Sequence, residues 1–589
     1  MRAASDHRSE RAGLLAGIGL VFAASLAARL HGLGAKPLWL DEVITFTRAG
    51  RPLHGLVLDS LRNHHLPGFF VIERAALLLA PKAAQVAALR LVPALAGAAC
   101  AALVFAIAWS AGGRSGAWLA GLLMAFAPLQ VAFGQEARSY TLMMAPLLLA
   151  LHGLLGLVRA PDAPCRRPWL NFGLGTAGAL LVLPDALPWL AAATLAILAA
   201  ALPRSRDRIG LLRRWVALNA ALLLLVAPAY ALLLLVPPQG PMAGFAWIPP
   251  PSASFLWADA ASLYFMRDAT MVTMRLLPPV LPGLAAAMAL LAILGLWRLR
   301  RARAEALVLL IVWLGLPIAL GVVSLVHPVM LPRYLLWSAP PFFVLAGLGI
   351  EALPPPARLA ALPAAAAVLL FNLAPYYHAE TKPRWDLAAA RLAARATAGD
   401  VILASDGAAW AMLGHYDPAL APLVTQRRAR RGGAGRGTSG LRDLRAGGAG
   451  GATLARRLCG DGRKSRPAFA APARRLRNRH PPDQPAARRA HRLFVGRHLP
   501  LIRVRRRRVP AQSGGAARMP ARSRSRTARH PRQVQHPAPH VRPRRSGRRS
   551  RSAARSPAPI RQGTEILSRW RRRRAGSARD CCPAASGAA

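Results

Sequence analysis

The residues able to do chemistry in this sequence sit in short polar stretches at the ends of long apolar runs. Asp41 and Glu42 stand side by side after Pro37 and Trp39. A carboxylate held near hydrocarbon is costly unless it is used or paired. Here it can take the proton of an acceptor hydroxyl or help hold a divalent cation; the plainer alternative is a solvated acid pair at a helix start. His64 and His65 close the same loop. With a nearby carboxylate they are candidate metal ligands, and a divalent metal is the one cofactor these residues suggest; the alternative is ordinary loop histidines. Arg138 follows Glu136, and that couple either neutralises itself or leaves the Arg138 fork for a phosphate or diphosphate. Arg333 and Tyr334 put a cation beside a phenol, which suits an anionic lipid head and equally suits interfacial anchoring. Taken together, the clusters favour a lipid-phosphate site.

The elements that must position these residues follow from composition. The chain has 589 residues, is 54% hydrophobic, and carries a formal net charge of +54. Apolar runs lie before Tyr376, whereas most of the arginine lies after Gln426, so two chemically different objects stand in series. The runs, among them 14–30, 91–110, 117–133, 216–236, 279–297 and 306–326, are roughly 17–22 residues long, enough for about 30 Å of hydrocarbon. They lack the polar residues at helical spacing that a soluble amphipathic helix shows. No cleavage site leads from the first run into a soluble domain, so it reads as a helix of the array.

Arginines cluster near residues 2–11, 114, 159–167, 204–214 and 298–303. Basic short loops mark the cytoplasmic side, and all of these fall inside if 64–82 lies at the interface instead of crossing. About 11 spans result, with the N-terminus cytoplasmic. The outer side then receives 31–67, 135–140, the turn at Asp185, 237–275, 327–333 and everything after Tyr376. Trp39, Phe69, Phe70, Trp247, Trp257, Tyr264, Phe265, Tyr376 and Tyr377 gather there as interfacial anchors are expected to. The five cysteines show no metal-ligand spacing. No phosphate-binding glycine loop or dinucleotide fingerprint stands in strand–turn–helix context, so a transfer on the outer side needs a donor that is already activated, such as a sugar on a polyprenyl phosphate.

At this point the sequence resembles a known family: the bacterial relatives of the dolichyl-phosphate-mannose–protein mannosyltransferases, within the C-type glycosyltransferase superfamily that also holds the aminoarabinose transferase of lipid A. The similar pieces come in the family's order. They are the stretch from Pro37 to Glu42, His64 to Phe70, Leu89-Arg90 with Pro93, Gln135 to Tyr140, Pro332-Arg333-Tyr334, and Tyr376-Tyr377 leading through Lys382, Trp385 and Asp386 to Asp400. The resemblance covers about 12 to 425 and implies inverting sugar transfer on the outer side. By it, Asp41 with Glu42 beside it is the acidic centre, Arg138, Arg333 and Tyr334 contact the donor phosphate, and His64 or His65 falls near a metal-ligating acid. The usual second proline of the His-Pro-Pro stretch is replaced, since this chain has His64-His65-Leu66-Pro67.

After Gln426, Arg, Ala, Gly, Pro and Ser dominate without apolar periodicity, and such a chain is expected to be disordered. An arginine-rich nucleic-acid binder conflicts with an outer location, so no nucleic-acid partner is expected. An out-of-frame translation of GC-rich DNA explains the abrupt change better. The resulting expectation is an all-α polytopic membrane protein: a transmembrane domain 1–375, the start of an outer soluble α/β domain at 376–425, and a disordered tail 426–589. It would sit in a bacterial inner membrane with its C-terminus outside. It would move sugar from a polyprenyl-phosphate donor, in contact with membrane lipids, to a lipid, glycan or protein acceptor. The rival is a polytopic transporter or lipid flippase, which is expected to place polar groups near the midplane or use paired broken helices.

Overall fold

The computed structural model describes residues 2–237, 248, 250–266, 281–397, 400–404, 407–426 and 503–505. They fall into two compact units that divide between Lys382 and Pro383. The boundary therefore lies a few residues beyond the expected 375, after the chain has left its last long helix and Lys382 has become buried.

The first unit is helical and multi-pass. Apolar sequence makes helix wherever it must satisfy its backbone without water. α1 (Arg2–Leu30) is followed by three short helices, α2 (Leu40–Ala49), α3 (Leu53–Arg62) and α4 (Gly68–Leu79). The array then runs through α5 (Gln85–Ser110), α6 (Arg114–Phe126), α7 (Pro128–Gly134), α8 (Tyr140–Arg159), α9 (Arg166–Val182) and α10 (Leu187–Ala196). It continues with α11 (Arg208–Leu235), α12 (Ala253–Tyr264), α13 (Leu281–Arg298), α14 (Arg303–Ser324), α15 (Ala339–Gly349) and α16 (Pro355–His378). With 12 residues, α4 reaches only about 18 Å, too short to cross.

Among the described residues, seven helices are long and apolar enough to span a membrane, or eight if α6 and α7 form one bent span. The expected eleven are not reached by that measure. The apolar stretches 282–298 and 336–352 are shorter, and α9 has 17 residues and opens on Arg166 and Arg167. The α6–α7 bend of 56° has a local cause. Pro128 has no N–H and forces Ala127 into extended backbone, so the helix stops and restarts.

Polar contacts between loops sort into two ends. At one end Arg114 meets Glu10, the Gly116 N–H donates to Glu351, Arg159 pairs with Glu305, and Ser205 and Arg206 donate to Asp162. All belong to the basic loops. At the other end Asp41, Gln135, Arg138, Arg333, Tyr376 and Lys382 are linked to one another, directly or through Glu42. These contacts divide the loops into two groups, one holding Arg114 and Arg159, the other Asp41, Arg138 and Arg333.

Four of the nine expected aromatic anchors are buried rather than exposed. Phe69, Phe70, Tyr264 and Tyr376 are buried in the helix packing, Trp257 is half exposed, and Trp247 lies outside the described residues.

The second unit holds α17 (Trp385–Ala393), α18 (Gly407–Tyr416) and a sheet of β1 (Val401–Ala404), β2 (Val424–Gln426) and β3 (Arg503–Arg505) in the order β2-β1-β3. β1 and β2 are parallel, with Ile402 opposite Val424; β3 is antiparallel, with Val504 opposite Ile402. This unit holds both helix and strand. At 503–505 the expected disordered tail instead contributes the short strand β3, paired with β1; 427–502 and 506–589 lie outside the described residues.

Candidate active site at a carboxylate between two arginines

Asp41 and Glu42 occupy the first turn of α2, where the helix dipole favours negative charge. Consecutive helical residues point about 100° apart, and the structure sends these two acids to different places. Asp41 is partly exposed, and its Oδ2 lies 3.3 Å from Arg333 Nη1 and 3.8 Å from Arg138 Nε. Glu42 is fully buried. It accepts from Arg90 Nε at 2.8 Å and Nη2 at 2.9 Å, from Lys382 Nζ at 2.7 Å and from the Ala137 N–H at 3.1 Å. Burial alone would push the Glu42 carboxyl up; Lys382 and Arg90 outweigh it and hold the carboxyl well below its usual range. Both Glu42 oxygens are thus engaged in holding the loop.

The turn 135–140 is clamped on three sides, and that clamping presents Arg138. Gln135 Nε2 donates to the Arg29 and His31 carbonyls at 2.8 and 2.7 Å, and the Tyr376 hydroxyl donates to Gln135 Oε1 at 2.9 Å. Glu42 takes the Ala137 N–H, and the Arg138 N–H closes onto the Glu136 carbonyl at 2.7 Å. Burial works against the Arg138 charge, yet Tyr140, Asp41 and Glu136 around it raise its pKa above the ordinary value. Its Nε is buried and makes no hydrogen bond. Arg333 follows Pro332 in a tight turn closed by the Tyr334 N–H on the Leu331 carbonyl at 3.0 Å. Its Nη2 donates to the Tyr334 hydroxyl at 3.4 Å. Arg138, Arg333, Tyr334 and Asp41, expected from three separate loops, are therefore one cluster.

Glu136 belongs to the same neighbourhood. Burial raises its carboxyl, countered in part by Lys382 and reinforced by Glu42 and Asp41, and its Oε2 is buried without a partner. The self-neutralising Glu136–Arg138 pair therefore does not form: no salt bridge joins them among the described residues.

The histidines stand apart from this chemistry. His65 packs on Phe70 with ring centroids 5.9 Å apart. Burial, then the Arg138 and Arg48 charges, lower its pKa to about 3, so the imidazole is neutral. Asp59, the acid that acts on it, is engaged by Arg48 at 2.7 Å and Arg51 at 2.8 Å. His64 adopts a left-handed backbone, φ 57°. Among the described residues no three His, Cys, Asp or Glu side chains gather as a metal site. At His65 the nearby Arg138 and Arg48 charges oppose a bound cation.

Reading the sequence missed the inward roles of Arg90 and Lys382 and gave Tyr140 no role, although all three lie in recognised stretches, and it missed Arg29 altogether. Arg90 also donates to the carbonyls of Leu33, Lys36 and Pro37 at 2.9, 2.9 and 3.1 Å, so it shapes the loop in front of α2. Lys36 donates to the Tyr376 carbonyl at 2.5 Å and to Thr381 Oγ1 at 2.7 Å, tying that loop to the end of α16.

No protein-family model matches the chain, and no curated protein matches it. Among solved structures it is similar to ArnT from Cupriavidus metallidurans in the apo state, at 16% identity and a TM-score of 0.48, over 68% of this chain and 84% of that one. The same protein bound to undecaprenyl phosphate gives 16% identity and a TM-score of 0.48, over 69% and 85%.

Proposed function

We propose that this chain is a membrane glycosyltransferase that moves a sugar from a polyprenyl-phosphate donor to a lipid, glycan or protein acceptor on the outer, periplasmic side of a bacterial inner membrane. The observation that carries the reading is the Asp41 carboxylate between the Arg138 and Arg333 guanidiniums. Two cations on one acid leave a net positive, partly exposed pocket at the aqueous end opposite the basic loops. That charge suits a lipid phosphate, and Arg suits it better than Lys because its planar fork matches phosphate oxygens.

In the free protein, Asp41 fills the anion position. An arriving donor phosphate takes over the two guanidiniums and releases the carboxylate toward the acceptor. The acceptor hydroxyl oxygen attacks the anomeric carbon opposite the phosphate, and Asp41 takes the hydroxyl proton as general base. The bond from the anomeric carbon to the phosphate oxygen breaks, its electron pair leaves with the phosphate, and Arg138 and Arg333 neutralise the charge that develops there. Tyr334 accepts a hydrogen bond from Arg333, which leaves its phenol proton to donate to a phosphate oxygen. Arg90, Lys382 and Glu42 hold the loop and touch no substrate.

The test is turnover of a radiolabelled sugar on a polyprenyl phosphate by the full-length protein in nanodiscs, wild type against Asp41→Asn. The proposal expects release of free polyprenyl phosphate by the wild type and a collapse of turnover in the variant. Donor movement across the bilayer without cleavage would instead identify a flippase.

A further inference from the structure

The bend between α6 and α7 creates a demand that the substrate cluster does not meet. Because Pro128 interrupts the helix, the last carbonyls of α6 lose their helical donors. Arg29, on the last turn of α1, supplies them. Its side chain is fully buried. It donates from Nη1 to the Ala125 carbonyl at 3.0 Å and from Nη2 to the Met124 carbonyl at 3.3 Å. The same Nη2 reaches the Gln130 carbonyl, inside α7, at 3.3 Å. Ser25 steadies Nη1 from below, accepting through its carbonyl at 3.1 Å and its hydroxyl at 2.5 Å.

None of these partners is a carboxylate. The guanidinium charge is balanced by the negative end of the α6 dipole and by oxygen lone pairs around Nη1 and Nη2, while Nε is buried without a hydrogen-bond partner. Space for it is cut from both neighbours: a Cβ at Gly97 on α5 or at Gly134 at the end of α7 would run into the Arg29 side chain. The backbone of the same residue continues the connection, since the Arg29 carbonyl accepts from Gln135 Nε2 at 2.8 Å. One residue thus grips the end of α6, the middle of α7 and the first residue of the turn that carries Arg138.

We propose that Arg29 is a positioning residue of the transfer site: by locking the α6–α7 bend it sets where Arg138 stands relative to Asp41. The proposal rests on the phosphate-site reading only in naming Arg138 as the group that is placed. A lysine at this position keeps the charge but not the fixed fork that serves three carbonyls of α6 and α7 besides that of Ser25, so it replaces Arg29 in part.

The experiment uses the full-length protein in nanodiscs, with hydrogen exchange across 128–140 and affinity for undecaprenyl phosphate as readouts. Arg29→Met is expected to raise exchange at 135–140 and to weaken lipid binding roughly ten- to hundred-fold, the scale of a misplaced binding group. Arg29→Lys is expected to recover part of both, and Ser25→Ala to show a smaller change in the same direction. Because Arg29 acts through Arg138, the Arg29→Met/Arg138→Met double variant binds no more weakly than Arg138→Met alone. Unchanged exchange in a folded Arg29→Met protein, or losses that add in the double variant, would overturn the proposal. If Arg29→Met does not fold, Ser25→Ala decides by the same exchange readout. A wild type that ignores undecaprenyl phosphate would sink the phosphate reading, while exchange would still rule on Arg29.

Discussion

Asp41 Oδ2 lies 3.3 Å from Arg333 Nη1, although 292 residues separate them in the chain. The contact is long, and both side chains keep some exposure. It is therefore loose enough to exchange for a ligand. The neighbouring Glu42 shows the opposite case, with Arg90 and Lys382 at 2.8 and 2.7 Å in full burial. Adjacent acids on one helix turn have been given an exchangeable and a fixed partner set.

Replacing Asp41 by Asn removes the proposed base and also the competitor for the two guanidiniums. Turnover is expected to fall by roughly 10²–10⁴-fold, the usual contribution of a positioned general base. Affinity for undecaprenyl phosphate is expected to hold or increase. A parallel loss of binding, read by titration of the nanodisc-embedded protein, would place Asp41 in binding instead.

Arg333→Lys and Arg138→Lys keep the charge and lose the fork. Each is expected to weaken phosphate-lipid binding by about 1.5–3 kcal/mol, the worth of a charge-assisted hydrogen bond. Isothermal titration with the phosphate lipid checks this; full affinity in both lysine variants would mean that simple charge suffices.

Glu42→Gln breaks a buried pair on one side and is expected to cost about 3–5 kcal/mol of stability, measured by thermal unfolding in detergent. The folded carboxyl is held below its unfolded value, so its contribution is present above the unfolded pKa of 4.5 and is lost as pH falls further. The variant should therefore lose that acid-side dependence. A Glu42→Gln protein as stable as wild type at neutral pH would contradict the fixed-hub assignment.

Glu73, on α4, is a buried carboxyl whose two oxygens have no hydrogen-bond partner, and burial, then the charge of Glu42, raise its pKa from 4.5 to about 9. The folded state keeps this proton longer than the unfolded state does, so stability is expected to decline as pH rises from 4.5 toward 9 and to level off above it. Glu73→Gln should flatten that decline while matching wild type near pH 4.5. Identical pH profiles for the two proteins would show that Glu73 ionises as an ordinary surface acid.

The fold was legible where physics is local. Apolar length marked a helical, multi-pass chain though not its number of spans, and polar residues at the ends of apolar runs picked out Asp41, Arg138, Arg333 and Tyr334. What failed to show depends on tertiary direction. Asp41 and Glu42 look equivalent as neighbours, and only the rotation of one helical step, with Arg90 and Lys382 arriving from elsewhere, separates them. Arg29 reads as a cation at the end of a span, where a long side chain is expected to seek water; its use as a cap for α6 depends on Pro128 a hundred residues on. The expectation for the histidines rested on ligand type, which says nothing about the guanidiniums near His65.

The most direct test of the account compares binding of undecaprenyl phosphate and undecaprenol, identical lipids but for the phosphate, by wild type and by Arg138→Gln/Arg333→Gln. The account predicts that the wild type prefers the phosphate lipid at least about ten-fold, worth about 1.4 kcal/mol, and that the double variant loses the preference. Equal binding of both lipids by the wild type, or an undiminished preference in the variant, would contradict it.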